Sequence, residues 1–328
     1  MKKKVMFLSL SKGFSGIERQ VTTLANSLVD LYDISLFFVD DVNPELKIDS
    51  KIKVIIKNKK LLENKMLYYR ELVKDIDVVI STSHVFNKYL SKLQNKKTIY
   101  WHHDKFEQVN TKDLKNFNQI IVSNRDNYEY FVSFNDNVII INTAIIIPEN
   151  QSNLENDNIV FVGKLIPNKN VLDLIQIFSW VLKELYLNLY IIGEGPERKK
   201  LETYVNTRNI ENVFFKGTIN QEEIESILTH SSLYVSCSEG ESAGFSVLEA
   251  MSYGIPIVAF DDVKIFSLFV IDEINGYLIK NRNKEEMKKR IIELMNNLEM
   301  RKEFGNCSRE KILEFDINSV KREWIKII

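Results

Sequence analysis

The chain has 328 residues, 45% of them hydrophobic and 27% charged, and its 44 Lys and Arg against 45 Asp and Glu leave a net charge of −1. At about 150 residues per domain the length suits two domains, and the near-neutral balance argues against a generic nucleic-acid binder. Eleven glycines and five prolines, where about 7% and 5% are usual, exclude collagen-like, linker-rich and Pro/Gly-disordered classes.

The first ten residues, MKKKVMFLSL, imitate a signal peptide, but the apolar run is short and no small-residue cleavage site follows. They read as an opening buried strand. Further short runs rich in Val, Ile and Phe follow at Ile34–Val39, Val54–Ile56, Val78–Ser81, Thr98–Trp101, Ile120–Ser123 and Val138–Ile141. A second set lies at Ile159–Val162, Leu189–Ile192, Val213–Phe215, Leu233–Ser236 and Ile257–Phe260. Between them run helical patterns such as Ile17–Leu31 and Val171–Leu185, with apolar residues at three- and four-residue spacing. Strands that are apolar throughout, alternating with helices, mean parallel sheets covered on both faces. The pattern occurs twice, broken at the polar stretch IPENQSNLENDN. The expected fold is α/β, two doubly wound Rossmann-like domains with a cleft between them: residues 1–147, a linker at 148–158, and residues 159–312. Ligands of such sheets sit beyond the carboxyl ends of the strands. Cys237 and Cys307 are the only cysteines and lack metal-site spacing, which points to a reducing cytoplasm. No stretch reaches the ~18–20 apolar residues that span a bilayer.

The most informative segment is Glu239–Phe260, EGESAGFSVLEAMSYGIPIVAF. With a helix starting near Gly244–Phe245, Glu241 stands in the loop before it and Glu249 about one turn inside. Between the two carboxylates the amides of Ala243, Gly244, Phe245 and Ser246 open a helix N-terminus, where free N–H groups and the helix dipole favour a phosphate. Gly244 lets backbone approach a ligand closely. A lone Glu-x7-Glu would be unremarkable surface. Its surroundings are what make it specific.

From Glu241 to Ala259 the sequence resembles the retaining nucleotide-sugar glycosyltransferases of family 4, which have the GT-B fold and read roughly E-G-F-G-x-x-x-x-E-A-M-A-x-G-x-P-V-V-A there. The resemblance extends over nearly the whole chain. FVGKLIPNKN at 161–170 is similar to the family's hVGRLxxxKG, with Lys164 in place of Arg. IIGEGP at 191–196, VFFKG at 213–217, SGIER at 15–19 and the Trp101–His103 stretch match further family positions.

This resemblance implies a hexose or N-acetylhexosamine moved, with retention and without a metal ion or other cofactor, from a nucleotide sugar, UDP-linked by preference. The acceptor would be a glycan or a lipid-linked molecule in bacterial surface polysaccharide or glycoconjugate assembly. Lys164 and Lys169 would neutralise the departing diphosphate, the Lys at 164 lacking the bidentate fork of Arg. Glu249 is assigned to the ribose hydroxyls, Glu241 and His103 to the donor sugar, and Glu241 as a covalent nucleophile is the less favoured reading. Gly16, with Ser15 where the family has Gly, marks the turn after the first strand. Gly163, Gly195 and Gly217 complete the donor-side loops. Residues 1–147 would be the acceptor-side domain, 159–312 the nucleotide-sugar domain, and 313–328 a helix crossing back to the first, with Trp324 in its core. The alternative is a non-catalytic homologue serving as partner subunit or acceptor-recognition module, favoured by the departures at Ser15 and Lys164 and opposed by the intact Glu241, Glu249 and Lys169 and by the charge kept at Lys164.

Other features carry less. Gly193-x-Gly195 lacks the third glycine of a dinucleotide site. Asp75-Ile76-Asp77 precedes a strand and therefore lies at the wrong end of a sheet for a metal-dependent ligand site. His102 should point away from His103 if the strand pleat persists. Residues 47–70 hold eight basic residues against Asp49 and Glu63. They read either as a solvated face or as a peripheral contact with the anionic inner face of the cell membrane.

Overall fold

The computed structural model describes residues 2–10, 16–39, 46–57, 65–93, 95–103, 109, 111–241 and 243–328. Ser15, Gly13 and part of the basic stretch, including Lys59, Lys60 and Glu63, lie outside the described residues. The chain folds as two compact units, Met1–Ile146 with Glu314–Ile328, and Ile147–Leu313.

In the first unit the strands are β1 (Lys4–Leu10), β2 (Asp33–Val39), β3 (Lys53–Lys57), β4 (Val78–Ser81), β5 (Lys97–Trp101), β6 (Gln119–Val122) and β7 (Val138–Ile140). They form one seven-stranded sheet in the order β3-β2-β1-β4-β5-β6-β7, and every pairing is parallel. The helices are α1 (Gly16–Leu28), α2 (Lys65–Leu72), α3 (Asn87–Leu90) and α4 (Arg125–Phe131). Alternate strand residues feed two cores: Val5, Phe7, Ile80, Ile99 and Trp101 face one side, and Met6, Leu8, Val79 and Tyr100 the other. On the first side α1 buries Val21, Leu24, Ala25 and Leu28, a three- and four-residue spacing that makes one apolar stripe.

The second unit holds β8 (Asn158–Val162), β9 (Asn188–Ile192), β10 (Val213–Gly217), β11 (Leu233–Ser236), β12 (Ile257–Phe260) and β13 (Gly276–Ile279). These pair in parallel in the order β10-β9-β8-β11-β12-β13. Its helices are α5 (Val171–Val181), α6 (Arg198–Thr207), α7 (Gln221–Thr229), α8 (Phe245–Ser252), α9 (Lys284–Asn296) and α10 (Leu298–Ile312). The final helix, α11 (Ile317–Ile327), belongs to the first unit, where Val320 and Trp324 join the α1-side core.

Two features depart from the sequence expectation. Strand β13, with four residues, has no counterpart among the expected runs. Residues 148–158, expected as a linker, are fastened to the second unit. Arg301 donates to the Leu154 carbonyl at 3.0 Å, Arg309 donates to the Pro148 carbonyl, and the Ser152 amide donates to the Tyr253 carbonyl at 2.9 Å. Backbone carbonyls near a core need donors, and two arginines from α10 supply them. The Asp75–Asp77 pair sits before β4, where the Asp77 carboxylate accepts the Lys4 amide at 2.8 Å and ties the amino ends of two strands together.

Candidate functional site

In the second unit the strand order turns outward from β8 and β11, so the loops leaving those neighbouring strands diverge and leave a crevice at their carboxyl ends. Both loops carry residues singled out from the sequence. After β8 the chain passes Gly163 and exposed Lys164, makes a short turn over Pro167–Lys169, and enters α5 through Asn170 in the left-handed conformation. After β11 it passes Glu241 and enters α8 through Gly244. The two loops are joined where the Glu239 amide donates to the Asn168 carbonyl at 2.8 Å.

The Lys169 ammonium donates to Oε1 of Glu241, with both side chains 13% exposed. The Ser238 hydroxyl donates to the same carboxylate oxygen at 3.1 Å and accepts from the Ser236 hydroxyl at 3.2 Å. Among the described residues Lys164 makes no hydrogen bond or ion pair.

Helix α8 starts without a side-chain cap, so its first amides have no intrahelical partner. Gly244 holds φ at +63°, and a Cβ there would stand 2.6 Å from the Phe269 ring, so only glycine fits without movement. The Tyr234 hydroxyl donates to Ser246 at 2.9 Å, fixing the first turn from beneath. Glu249 accepts from the Gln221 side chain at 3.1 Å. Gln221 is placed by a capping box in which Asn220 accepts the Glu223 amide at 2.9 Å and Glu223 accepts the Asn220 amide at 3.1 Å. Gly195 packs its Cα against the Leu165 carbonyl, which a Cβ would meet at 2.3 Å. It holds the β8 loop in place. Gly217 ends β10 on the same edge.

In the first unit Gly16 opens α1 and is exposed, with Glu18 fully buried in the first turn. His103 lies two residues beyond β5 with its ring 4.5 Å from that of Trp101, which in turn packs 4.8 Å from Trp324. Among the described residues its Nε2 is buried without a hydrogen-bond partner. Burial, with His102 beside it, pushes the imidazole down to about 3. His103 is therefore neutral at any physiological pH. His102 turns to the other face of the sheet, where Nδ1 meets the Tyr100 hydroxyl at 3.1 Å and the ring packs 4.6 Å from Phe131.

Ser236, Ser238, Gln221 and Tyr234 were not singled out from the sequence. The small-polar run SCSE at the end of β11 was the available signal. No group of three or more His, Cys, Asp or Glu among the described residues could hold a metal ion, and no described helix is long and apolar enough to cross a membrane.

The sequence profile of the family "Glycosyl transferases group 1" matches residues 142–311. This chain is a group 1 glycosyltransferase. It is 28% identical to an uncharacterized glycosyltransferase of Haemophilus influenzae over 99% of this chain and 100% of that one. To the poly(ribitol-phosphate) alpha-N-acetylglucosaminyltransferase of Staphylococcus aureus it is 33% identical over 58% of this chain and 39% of that one. Its fold matches a structure of S. aureus TarM in complex with UDP, alpha-GlcNAc-glycerol and fondaparinux, with a TM-score of 0.79, 19% identity and coverage of 100% and 99% of the two chains. The fold of this glycosyltransferase is thus the two-domain GT-B architecture.

Proposed function

We propose that this glycosyltransferase is a retaining, metal-independent enzyme that moves a hexose or N-acetylhexosamine from a UDP-linked donor. The acceptor is a glycan or lipid-linked molecule of bacterial surface polysaccharide or glycoconjugate assembly. The observation that carries the reading is the pairing of Lys169 with Glu241 beside the uncapped start of α8. Fixed cations and amides next to a carboxylate suit a ligand that is anionic at one end and hydroxylated at the other. The S. aureus relatives support the class of donor and acceptor through UDP and poly(ribitol-phosphate) in their names.

In this reading Lys164, Lys169 and the amides of Ala243, Gly244, Phe245 and Ser246 take the diphosphate as the bond from C1 to its oxygen breaks. Placed in advance, such donors act most strongly where charge develops. The new bond forms from C1 to the acceptor hydroxyl on the same face, and the acceptor proton leaves on the diphosphate. Two lysines supply the positive charge that a divalent cation would otherwise bring. Glu249 holds the ribose hydroxyls. Glu241 binds hydroxyls of the sugar and does not attack C1: a carboxylate already engaged by an ammonium and a hydroxyl is a weak nucleophile. Neutral His103 and, from its own side, Gly16 keep in this reading the donor-side roles that the resemblance implies for the first unit. Gly163, Gly195 and Gly217 shape the donor-side loops.

Peripheral contact with an anionic membrane is proposed for the first unit. Edge strand β3 exposes Val54 and Ile56 between Lys53 and Lys57, an apolar and basic mixture suited to a headgroup surface.

Thermal-shift screening with UDP-, GDP- and ADP-sugars tests the donor. A ligand at 100 times its Kd adds about 2.7 kcal/mol, so a UDP-sugar should raise the melting temperature by several degrees. Stabilisation by GDP- or ADP-sugars alone would overturn the UDP assignment.

A further inference from the structure

Strand β11 leaves the sheet through Cys237 and Ser238, and both carbonyls meet one guanidinium. Arg282 donates from Nη2 to the Cys237 carbonyl at 2.7 Å and from Nη1 to the Ser238 carbonyl at 3.2 Å. Nη1 also reaches the two Asp262 carboxylate oxygens at 3.1 and 2.9 Å. The guanidinium carbon lies 4.3 Å from the centroid of the Phe260 ring. A single side chain, carried just beyond β13, therefore ties together the exits of β11 and β12.

The backbone that presents it is unusual. Asn281 and Arg282 both have positive φ, 55° and 48°. Glycine adopts that conformation without strain, whereas a residue with a Cβ stays there only because its surroundings hold it. The surroundings are the two carbonyls, the carboxylate and the ring just described. The clamped carbonyl of Ser238 belongs to the residue whose hydroxyl donates to Glu241, and Ser238 and Ser236 are fully buried. A rotation of the Ser238 peptide would swing that hydroxyl away from the carboxylate.

We propose that Arg282 is a positioning residue for the transfer reaction, fixing the Cys237 and Ser238 carbonyls and, through the Ser238 hydroxyl, the place of the Glu241 carboxylate. The proposal rests on the assignment of Glu241 to the donor sugar. Lysine cannot replace the planar fork that serves two carbonyls and a carboxylate at once.

The test compares wild type with Arg282→Gly and Arg282→Lys, the glycine variant removing the clamp while relieving the left-handed backbone. Hydrogen exchange of the free protein should speed up at residues 237–246 in Arg282→Gly while β8 and β9 keep their protection. Turnover is read as UDP released from UDP-glucose or UDP-N-acetylglucosamine. Its kcat should fall about 10- to 100-fold, the size expected when a reacting group is misplaced from a distance. KM should change little, and millimolar methylguanidine should restore part of the rate. Unchanged exchange in the loop overturns the proposal. So does wild-type kcat, or a loss that only follows melting temperature and ignores methylguanidine. Glu241→Gln in the same assay separates the two levels: if it keeps full turnover the assignment of Glu241 fails, while the exchange data still report on the clamp.

Discussion

Lys169 and Glu241 stand 72 residues apart in sequence and share one hydrogen bond on the facing loops of β8 and β11, each 13% exposed. Removing either leaves the other poorly solvated. Lys169→Ala or Glu241→Ala should cost about 1–3 kcal/mol, as expected for stranding a mostly buried polar or charged group. Chemical denaturation of the two single variants and of the double variant Lys169→Ala with Glu241→Ala checks this. The double variant should lose less stability than the sum of the singles, a coupling of about 0.5–3 kcal/mol.

The same pair should matter more for rate than for stability. Loss of one preorganised group that meets developing charge costs roughly 100- to 1,000-fold in kcat. Lys169→Ala should show a fall of that order in UDP release from a UDP-sugar, with a circular dichroism spectrum like that of wild type. Near-normal turnover in both Lys169→Ala and Glu241→Ala would remove these residues from the mechanism.

His103 makes a prediction with a definite sign. Its folded pKa is lowered from 6.5 to about 3, so protonation favours the unfolded chain. The stability it protects is complete above pH 6.5 and is lost as pH falls from there toward 3. Wild type should therefore lose melting temperature more steeply between pH 6.5 and 4.5 than His103→Asn. Equal slopes for the two proteins would contradict the buried neutral imidazole.

Gly244→Ala should destabilise the second unit. The new Cβ meets the Phe269 ring at 2.6 Å with φ at +63°, and a left-handed non-glycine residue alone costs about 1–2 kcal/mol. Pairing it with Phe269→Leu should recover the steric part and leave the backbone part, as read by melting temperature.

Vesicle co-sedimentation addresses the membrane contact. Binding should rise with the fraction of anionic lipid and fall with salt, each engaged basic residue contributing about 1 kcal/mol near the surface. Charge reversal at Lys53 and Lys57 should weaken it. Indifference to anionic lipid would dismiss the contact.

Strands such as Leu233–Ser236 and Ile257–Phe260 were legible because a strand buried on both faces must be apolar throughout, and they lie where the runs place them. Strand β13 was not, since Gly-Tyr-Leu-Ile is short and pairs only along β12. The opposed directions of His102 and His103 followed from the pleat. Nothing local announced the site's supports. Arg282 grips carbonyls 44 and 45 residues away, and carbonyls are identical in every sequence. Likewise the polar composition of residues 148–158 reads as a linker, because the arginines that satisfy its backbone come from α10.

The placement of α11 with the first unit bears on the order in which the protein is made. Trp324 fills the space against Trp101 and is wholly buried, yet it emerges from the ribosome only after the entire second unit. Until then the indole of Trp101 lacks its partner in the α1-side core. The second unit, continuous in sequence, is free to close during synthesis while the first waits for the last turns of the chain. Slowing translation before residue 317 should therefore lengthen the interval in which Trp101 is without Trp324.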